Sequence, residues 1–132
     1  MRILLAEDDQ NFANILIKEL EGDSNTIDWV VDGVEVVMHL MRHPCDVVLL
    51  DLRLPRLDGL SALRIIHILH PEISVVTYSG RAGRDELEDS VRAGAVRCLA
   101  KPFRLEDLKQ ILKETQGNTP GERRVNGSVP DI

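Results

Sequence analysis

The sequence predicts an α/β fold in which a parallel sheet of five strands is covered by helices on both faces. Short apolar runs alternate along the chain with segments whose apolar residues recur at helical spacing. Turn signals such as Asp32-Gly33 mark the change from a strand to the following helix. Five consecutive βα units predict a doubly wound sheet with strand order 2-1-3-4-5.

Each predicted strand is a short apolar run that ends at a polar residue or a turn. In order, these runs are residues 3–6, 26–31, 47–50, 73–78 and 96–100. The first and third runs are continuously apolar, which is typical of strands buried on both faces. The second contains Asp28 and the fifth contains Arg97, so we expect these two strands at the edges of the sheet.

The predicted helices lie between and after these runs and share apolar residues at helical spacing. They extend over residues 12–20, 34–41, 60–69, 87–94 and 105–112. Pro44 and Pro71 end the second and third helices, and Gly94 is a candidate C-cap of the fourth. Residues 115–132 show no apolar period, so we expect one domain over residues 1–114 followed by a flexible tail or linker.

Composition excludes several classes of function. The chain has 132 residues, a formal net charge of −6 and few aromatic residues, so we expect no nucleic-acid binding by this chain. No apolar run approaches the roughly 20 residues of a membrane span. Cys45 and Cys98 have no metal-ligand spacing and fit a reducing cytoplasm, where we expect the protein to act.

Polar residues follow four of the predicted strands and are expected to meet at one edge of the sheet. They are Glu7-Asp8-Asp9, Asp51, Ser79 and Lys101. Clustered carboxylates repel one another, and a hard divalent cation such as Mg²⁺ relieves that repulsion. Together with an ammonium and a hydroxyl group, these residues are suited to phosphoryl transfer onto an aspartate.

The sequence resembles the receiver domains of two-component response regulators, a CheY-like family with a flavodoxin-like fold. The resemblance covers residues 1 to about 114. It rests on five stretches found in the family's order, which are residues 3–9, residues 47–59, Ser79-Gly80, Ala93-Gly94-Ala95 and Lys101-Pro102-Phe103.

The resemblance implies a role for each matching residue. Asp51 would be the phospho-acceptor, and Mg²⁺ (or Mn²⁺) would be held by Glu7, Asp8, Asp51 and the backbone carbonyl of Arg53. The phosphoryl group would be contacted by Ser79 and Lys101.

The resemblance also implies structural features and partners. The Lys101-Pro102 bond is expected to be cis, and Asp58-Gly59 to form a turn before the next helix. The implied partners are a histidine kinase or phosphotransfer protein and a downstream protein or C-terminal output domain, met at the face of the last two helices. A phosphorylation-dependent dimer stays open. Such a domain is no classical enzyme, because it catalyses only its own phosphorylation and dephosphorylation.

Two departures from the family pattern stand out. The position of the usual switch aromatic, three residues before the lysine, holds Cys98. Arg53 and Arg81 lie at positions that tune phosphoryl lifetime in the family, and three roles stay open for them: attracting the donor, blocking water, or simple solvation.

Other functions compete with the receiver interpretation. The Glu7-Asp8-Asp9 triplet alone also suits a solvated helix N-cap. An aspartyl-phosphate phosphatase would need a second acid where Arg53 stands. A pseudo-receiver would act only as a phosphorylation-independent binding module, and a flavodoxin-like cofactor carrier would not place acids at the first strand end.

Overall fold

A computed structural model describes residues 1–80, 84–117 and 124–127. The six strands are β1 (Arg2–Ala6), β2 (Thr26–Val30), β3 (Val47–Asp51), β4 (Ser74–Ser79), β5 (Arg97–Ala100) and β6 (Arg124–Gly127). The five helices are α1 (Gln10–Glu21), α2 (Gly33–Leu40), α3 (Gly59–Leu69), α4 (Arg84–Arg92) and α5 (Leu105–Gly117).

The sheet has the order β2-β1-β3-β4-β5-β6, and each described strand pairs parallel to its neighbours. The predicted order 2-1-3-4-5 is therefore confirmed. All residues of β3 are buried, as are all but the first of β1, which agrees with their continuously apolar sequences.

Alternating side chains of the central strands pack against helices on opposite faces of the sheet. On one face, Leu5 and Leu49 pack with Leu16 of α1 and Leu108 of α5. On the other face, Leu4 and Leu50 belong to a cluster with side chains of α2 and α3. This three-layer arrangement fixes the carboxyl ends of the strands as a common edge on which a site can be built.

The helix ends follow from capping residues in the sequence. Asp9, Asp32 and Asp58 each accept backbone N–H groups at the start of α1, α2 and α3. Gly94 has φ +126, and a Cβ there would lie 2.6 Å from the His67 ring. The turn after α4 therefore requires glycine both for its conformation and for its contact with α3.

The structure differs from the sequence prediction at the β5 edge. The strand β2 lies at one edge as expected, but β6 pairs with β5 beyond it. Arg97 is only 1% exposed and donates to the carbonyl of Val96, so a charged residue in this strand was a wrong indicator of an edge.

The chain after residue 114 also contains more structure than its sequence pattern indicates. The helix α5 continues to Gly117, and the Thr115 hydroxyl donates to the Leu112 carbonyl. Strand β6 adds to the sheet through backbone groups, which need no apolar alternation in four residues. Residues 115–117 and 124–127 thus have regular structure, and residues 118–123 and 128–132 of the predicted flexible tail or linker lie outside the described residues. The domain boundary itself stays a prediction.

Among the helices that the structure describes, none combines the length and the apolar character needed to cross a membrane.

Candidate functional site

The carboxyl edge of the sheet collects the polar residues that the sequence singled out. Asp51 is the last residue of β3, and Ser79 is the last residue of β4. Glu7 follows β1 directly and donates its backbone N–H to the carbonyl of Val30 in β2. Lys101 follows β5, and its N–H donates to the carbonyl of Ser79 at 3.0 Å.

Three carboxylates form a compact acidic cluster at this edge. Glu7, Asp8 and Asp51 each offer an oxygen, and these oxygens lie within 4.8 Å of one another. Glu7 is 1% exposed and Asp51 is 5% exposed, whereas Asp8 is open to solvent. The cluster therefore has two buried acids and one accessible one, with its opening on the side of Asp8.

The acidic cluster changes the proton affinity of its central residue. Burial raises the pKa of Asp51 from 3.8 to about 7, and the negative charges of Glu7 and Asp8 act in the same direction. The N–H of Arg53 and the charge of Lys101 act against this rise. In isolation the cluster thus resists carrying three negative charges.

The donor set fits a hard divalent cation. All three groups are carboxylates, and oxygen ligands suit Mg²⁺, which commonly takes one or two protein carboxylates and keeps several waters. A divalent cation would also offset the repulsion from Glu7 and Asp8, which adds to the effect of burial on the pKa of Asp51. No sulfur or imidazole ligand belongs to the described cluster, which favours magnesium or manganese over zinc.

Glu7 is held in place by hydrogen bonds to its side chain and its backbone. Its Oε1 accepts the hydroxyl of Tyr78 at 2.8 Å, and its Oε2 accepts the N–H of Asp9 at 2.9 Å. The Trp29 indole N–H donates to the Glu7 carbonyl at 2.8 Å. The Tyr78 and Asp9 donors satisfy a carboxylate that burial removes from water, and the Trp29 donor fixes the backbone beside it.

Lys101 lies beside Glu7 on a small aromatic cluster. Its Nζ is 3.7 Å from Glu7 Oε1 and 4.1 Å from the centroid of the Phe12 ring. The rings of Phe12, Tyr78 and Phe103 lie 5.8 to 6.1 Å apart, centroid to centroid. The ammonium group is therefore held by one acid and an aromatic face. The Lys101-Pro102 peptide bond is cis, as the resemblance implies.

The loop after Asp51 approaches its own strand closely. Arg53 N–H donates to Asp51 Oδ1 at 2.8 Å. A Cβ on Gly59 would lie 2.2 Å from the Asp51 carbonyl oxygen and 2.5 Å from Leu52 Cα. Only glycine lets α3 begin this near β3, and Asp58 caps that helix by accepting the Ser61 N–H.

The same loop is tied to α2 and α4 by ion pairs. Arg56, which has φ +67, pairs with the buried carboxylate of Asp32 at 3.0 Å. The guanidinium of Arg53 pairs with Glu86 of α4 at 3.0 Å, with exposed fractions of 60% and 28%. This pair joins the loop after β3 to α4, and the three roles considered for Arg53 stay open. Arg81 lies outside the described residues.

On the side of the site near α4, a buried polar group lacks the hydrogen bonds that Glu7 has. Ser79 is 1% exposed, and its Oγ has no hydrogen-bond partner within the part of the chain that the structure describes. Cys98 is fully buried and packs with Leu52 and Leu87 of α4. A buried hydroxyl that lacks a partner costs free energy, so Ser79 is suited to meet a group that arrives at the cluster.

Comparison with known protein families identifies the family of this chain. A profile described as "Response regulator receiver domain" matches residues 3–113. The chain belongs to the response regulator receiver domain family. Receiver domains are parts of two-component signalling proteins, and they are not classical enzymes.

The receiver domain has relatives among characterised regulators. It is 38% identical over 113 residues to the transcriptional regulatory protein QseB of Haemophilus influenzae, covering 86% of this chain and 51% of that protein. It is 34% identical over 127 residues to the response regulator protein PmrA of Pseudomonas aeruginosa, covering 92% and 55%. The chain thus spans about half the length of these relatives.

Solved receiver domains have the same fold. One is the receiver domain of a sensor histidine kinase from Pseudomonas aeruginosa, determined with a magnesium ion coordinated in the active site cleft. It is 31% identical, has a TM-score of 0.81, and the match covers 89% of this chain and 98% of that one. A receiver domain from Francisella matches at 23% identity with a TM-score of 0.82, covering 88% and 96%, and supports the fold alone.

The structure brings together the acids that the sequence predicted, and it adds partners that sequence reasoning missed. One member of the acidic triplet is the helix N-cap that the sequence also allowed, because Asp9 caps α1 and accepts the N–H groups of Asn11 and Phe12. Tyr78 comes just before Ser79 in β4, and its hydroxyl reaches Glu7. The sequence did contain an indication of this bond. A buried phenol needs a polar partner, and Tyr78 lies in an apolar strand that ends at the acidic edge.

Proposed function

We propose that this receiver domain accepts one phosphoryl group on Asp51, with a divalent cation held at the acidic cluster. The observation that carries the proposal is the position of Asp51, a buried carboxylate at the end of β3 with two further acids within 4.8 Å. The proposed ligands of Mg²⁺ (or Mn²⁺) are Glu7, Asp8, Asp51 and the backbone carbonyl of Arg53.

In the proposed reaction, a carboxylate oxygen of Asp51 attacks the phosphorus of a phosphohistidine. The new bond joins Asp51 oxygen and phosphorus, while the bond from phosphorus to the imidazole nitrogen breaks and its electron pair stays on that nitrogen. Asp51 Oδ1 accepts the Arg53 N–H, so Oδ2 is the proposed nucleophile. A bound cation would supply charge neutralisation for the phosphoryl oxygens and for the acids around them.

Two residues of the chain answer the charge of the new phosphoryl group. Ser79 Oγ, which is buried and lacks a partner among the described residues, would donate a hydrogen bond to a phosphoryl oxygen. The Lys101 ammonium lies at the same edge beside Glu7, and it would pair with a second phosphoryl oxygen. The same site would later release the phosphate by hydrolysis.

The proposed phospho-donor is a histidine kinase or a phosphotransfer protein of the cytoplasm. Phosphorylation would change a protein-interaction surface that is read by a downstream protein or an output domain. The two relatives described above are about twice as long as the part matched by this chain, which supports an output domain in proteins of this kind.

Phosphorylation by a small donor tests the proposal. Incubation with acetyl phosphate and Mg²⁺ should add the mass of one phosphoryl group in intact-protein mass spectrometry. Asp51→Asn and removal of the cation by EDTA should each abolish the addition, because one removes the nucleophile and the other the charge neutralisation.

Asp58→Asn is the matched control for that experiment. Asp58 caps α3 through the Ser61 N–H, and asparagine caps a helix about as well, so this variant should be phosphorylated like the wild type. A wild-type protein that never gains the mass would contradict the proposal and favour a phosphorylation-independent binding module.

A further inference from the structure

The hydroxyl group of Tyr78 lies inside the protein and donates its hydrogen bond to the acidic cluster. Tyr78 is 1% exposed, and its hydroxyl oxygen is 2.8 Å from Glu7 Oε1. Burial and the negative charge of Glu7 raise the pKa of Tyr78 well above 10. The group therefore keeps its proton and acts as a donor.

This bond leaves Glu7 able to bind a cation. Oε1 accepts from Tyr78 and Oε2 from the Asp9 N–H, which fixes the carboxylate at both oxygens. Each carboxylate oxygen has two acceptor sites, so one site on each stays available. A cation, or a water bound to it, can use the remaining sites without displacing either donor.

The fixed orientation depends on the Tyr78 hydroxyl. Without it, the described partner of Oε1 is the Lys101 ammonium at 3.7 Å, which exceeds hydrogen-bond distance. The carboxylate would then regain rotational freedom about its terminal torsion, which is broad. It would lose that freedom again on binding a cation.

We propose that Tyr78 is a positioning residue, whose hydroxyl holds the Glu7 carboxylate in the orientation that binds a divalent cation together with Asp8 and Asp51. The inference rests on the proposed function of this edge as a cation site. Tyr78 itself touches neither the cation nor the phosphoryl group in this arrangement. It acts through Glu7, as a hydrogen-bonded outer partner of a metal ligand.

Tyr78→Phe tests the inference, because it removes the hydroxyl and keeps the ring between Phe12 and Phe103. The readout is Mg²⁺ affinity, followed by the fluorescence of Trp29, which is the single tryptophan and donates to the Glu7 carbonyl. We expect the dissociation constant to rise about tenfold. At saturating Mg²⁺, phosphorylation by acetyl phosphate should return to within about twofold of the wild-type rate, since the acceptor is intact.

Thr77→Val is the matched control. It removes a buried hydroxyl from the neighbouring residue of the same strand, where Thr77 bonds Ser90 at 2.8 Å on the α4 side. This variant should bind Mg²⁺ with the wild-type affinity. An equal loss in both variants would overturn the inference, because it would show a general effect of losing a buried hydrogen bond.

A measurement on the wild-type protein covers the case in which Tyr78→Phe does not fold. Tyr78 is the single tyrosine, so labelling tyrosine with ¹³C at Cζ gives one resonance next to its hydroxyl. That resonance should shift during a Mg²⁺ titration with the same midpoint as Trp29 fluorescence. A resonance that does not move would overturn the inference.

The outcomes separate this inference from the proposed function. Wild-type protein that binds Mg²⁺ and takes phosphate, together with an unchanged affinity in Tyr78→Phe, would overturn the role of Tyr78 alone. Wild-type protein that neither binds Mg²⁺ nor takes phosphate would overturn both.

Discussion

The two sides of the acidic cluster differ in how completely their polar groups are paired. On the α1 side, Glu7 accepts hydrogen bonds at both side-chain oxygens and at its carbonyl. On the α4 side, the buried Ser79 Oγ lacks a partner among the described residues, and Cys98 occupies the position of a usual aromatic.

Under the proposed function, this difference would assign two tasks to the two sides of one site. Residues that hold a cation must keep one geometry, and the α1 side achieves this with short hydrogen bonds to a buried acid. A residue that responds to phosphorylation must be free to make a new contact, and an unpaired buried hydroxyl gains the most from doing so. The first side is therefore preorganised, and the second is poised for a group that is not yet bound.

The largest expected effect comes from disturbing the approach of α3 to β3. In Gly59→Ala, the new Cβ would meet the Asp51 carbonyl oxygen at 2.2 Å and Leu52 Cα at 2.5 Å. Because both are backbone atoms, the helix must shift, and we expect a loss of at least about 3 kcal/mol in the free energy of unfolding. Urea denaturation measures this loss, and phosphorylation should fall with it.

Gly22→Ala provides the comparison for Gly59. A Cβ on Gly22 would meet the Glu19 carbonyl oxygen at 3.4 Å, an ordinary contact, and its φ is −61. This variant should change the free energy of unfolding by less than about 1 kcal/mol. An equal loss of unfolding free energy in the two variants would show that the close contact of Gly59 with β3 does not stabilise the fold.

The next effect concerns the charge of Asp51, which lies between the two sides. Burial raises the pKa of Asp51 from 3.8 to about 7, so the folded state retains a proton that the unfolded state releases. The associated stability is present below about pH 4 and is lost as the pH rises toward 7. Asp51→Asn cannot ionise, so at pH 8 it should be more stable than the wild type, by up to about 4 kcal/mol for a shift of this size.

Thermal or urea unfolding across pH 4 to 8 checks this expectation. The advantage of Asp51→Asn should vanish near pH 4, and Mg²⁺ should reduce it at pH 8 by neutralising the acids. The pKa of Asp58 is shifted in the opposite direction, because the Ser61 N–H lowers it. Asp58→Asn should therefore give no such gain in stability at pH 8. A wild-type protein whose stability does not fall between pH 4 and 7 would contradict the raised pKa of Asp51 in the cluster.

The sequence predicted the strand ends of this site better than the contacts between them. Runs of apolar residues ending in Glu7, Asp51 and Lys101 place these groups at one edge, because parallel strands share a direction. The bond from Tyr78 to Glu7 joins residues 71 positions apart, and it depends on side-chain directions across three strands. The pairing of Arg53 with Glu86 likewise depends on how α4 packs, which periodicity does not determine.

Hydrophobic patterning also failed to predict two features of the sheet edge, and the reason is the same: it does not determine how elements contact one another. A charged residue in an apolar run indicates exposure on average, yet Arg97 is buried and bonds to the Val96 carbonyl. Strand β6 forms from four residues without an apolar period. Backbone pairing alone can extend a parallel sheet, so hydrophobic patterning gives no indication of such a strand.

The smallest expected effect tests the contrast between paired and unpaired hydroxyl groups directly. In the unphosphorylated protein, Ser79→Ala should leave the free energy of unfolding unchanged or slightly raised, because Ser79 Oγ has no partner to lose among the described residues. Thr77→Val should cost about 1 kcal/mol, since Thr77 is hydrogen-bonded to Ser90, which itself donates to the Leu87 carbonyl.

Addition of Mg²⁺ and a stable phosphate mimic should then reverse the order of the two variants. The mimic should stabilise Thr77→Val by as much as the wild type, and Ser79→Ala by less, because only Ser79 gains a new acceptor. Denaturation with and without the mimic measures both differences. If the mimic stabilised Ser79→Ala fully, the phosphoryl group would not be met by the unpaired hydroxyl, and the α4 side would respond through another residue.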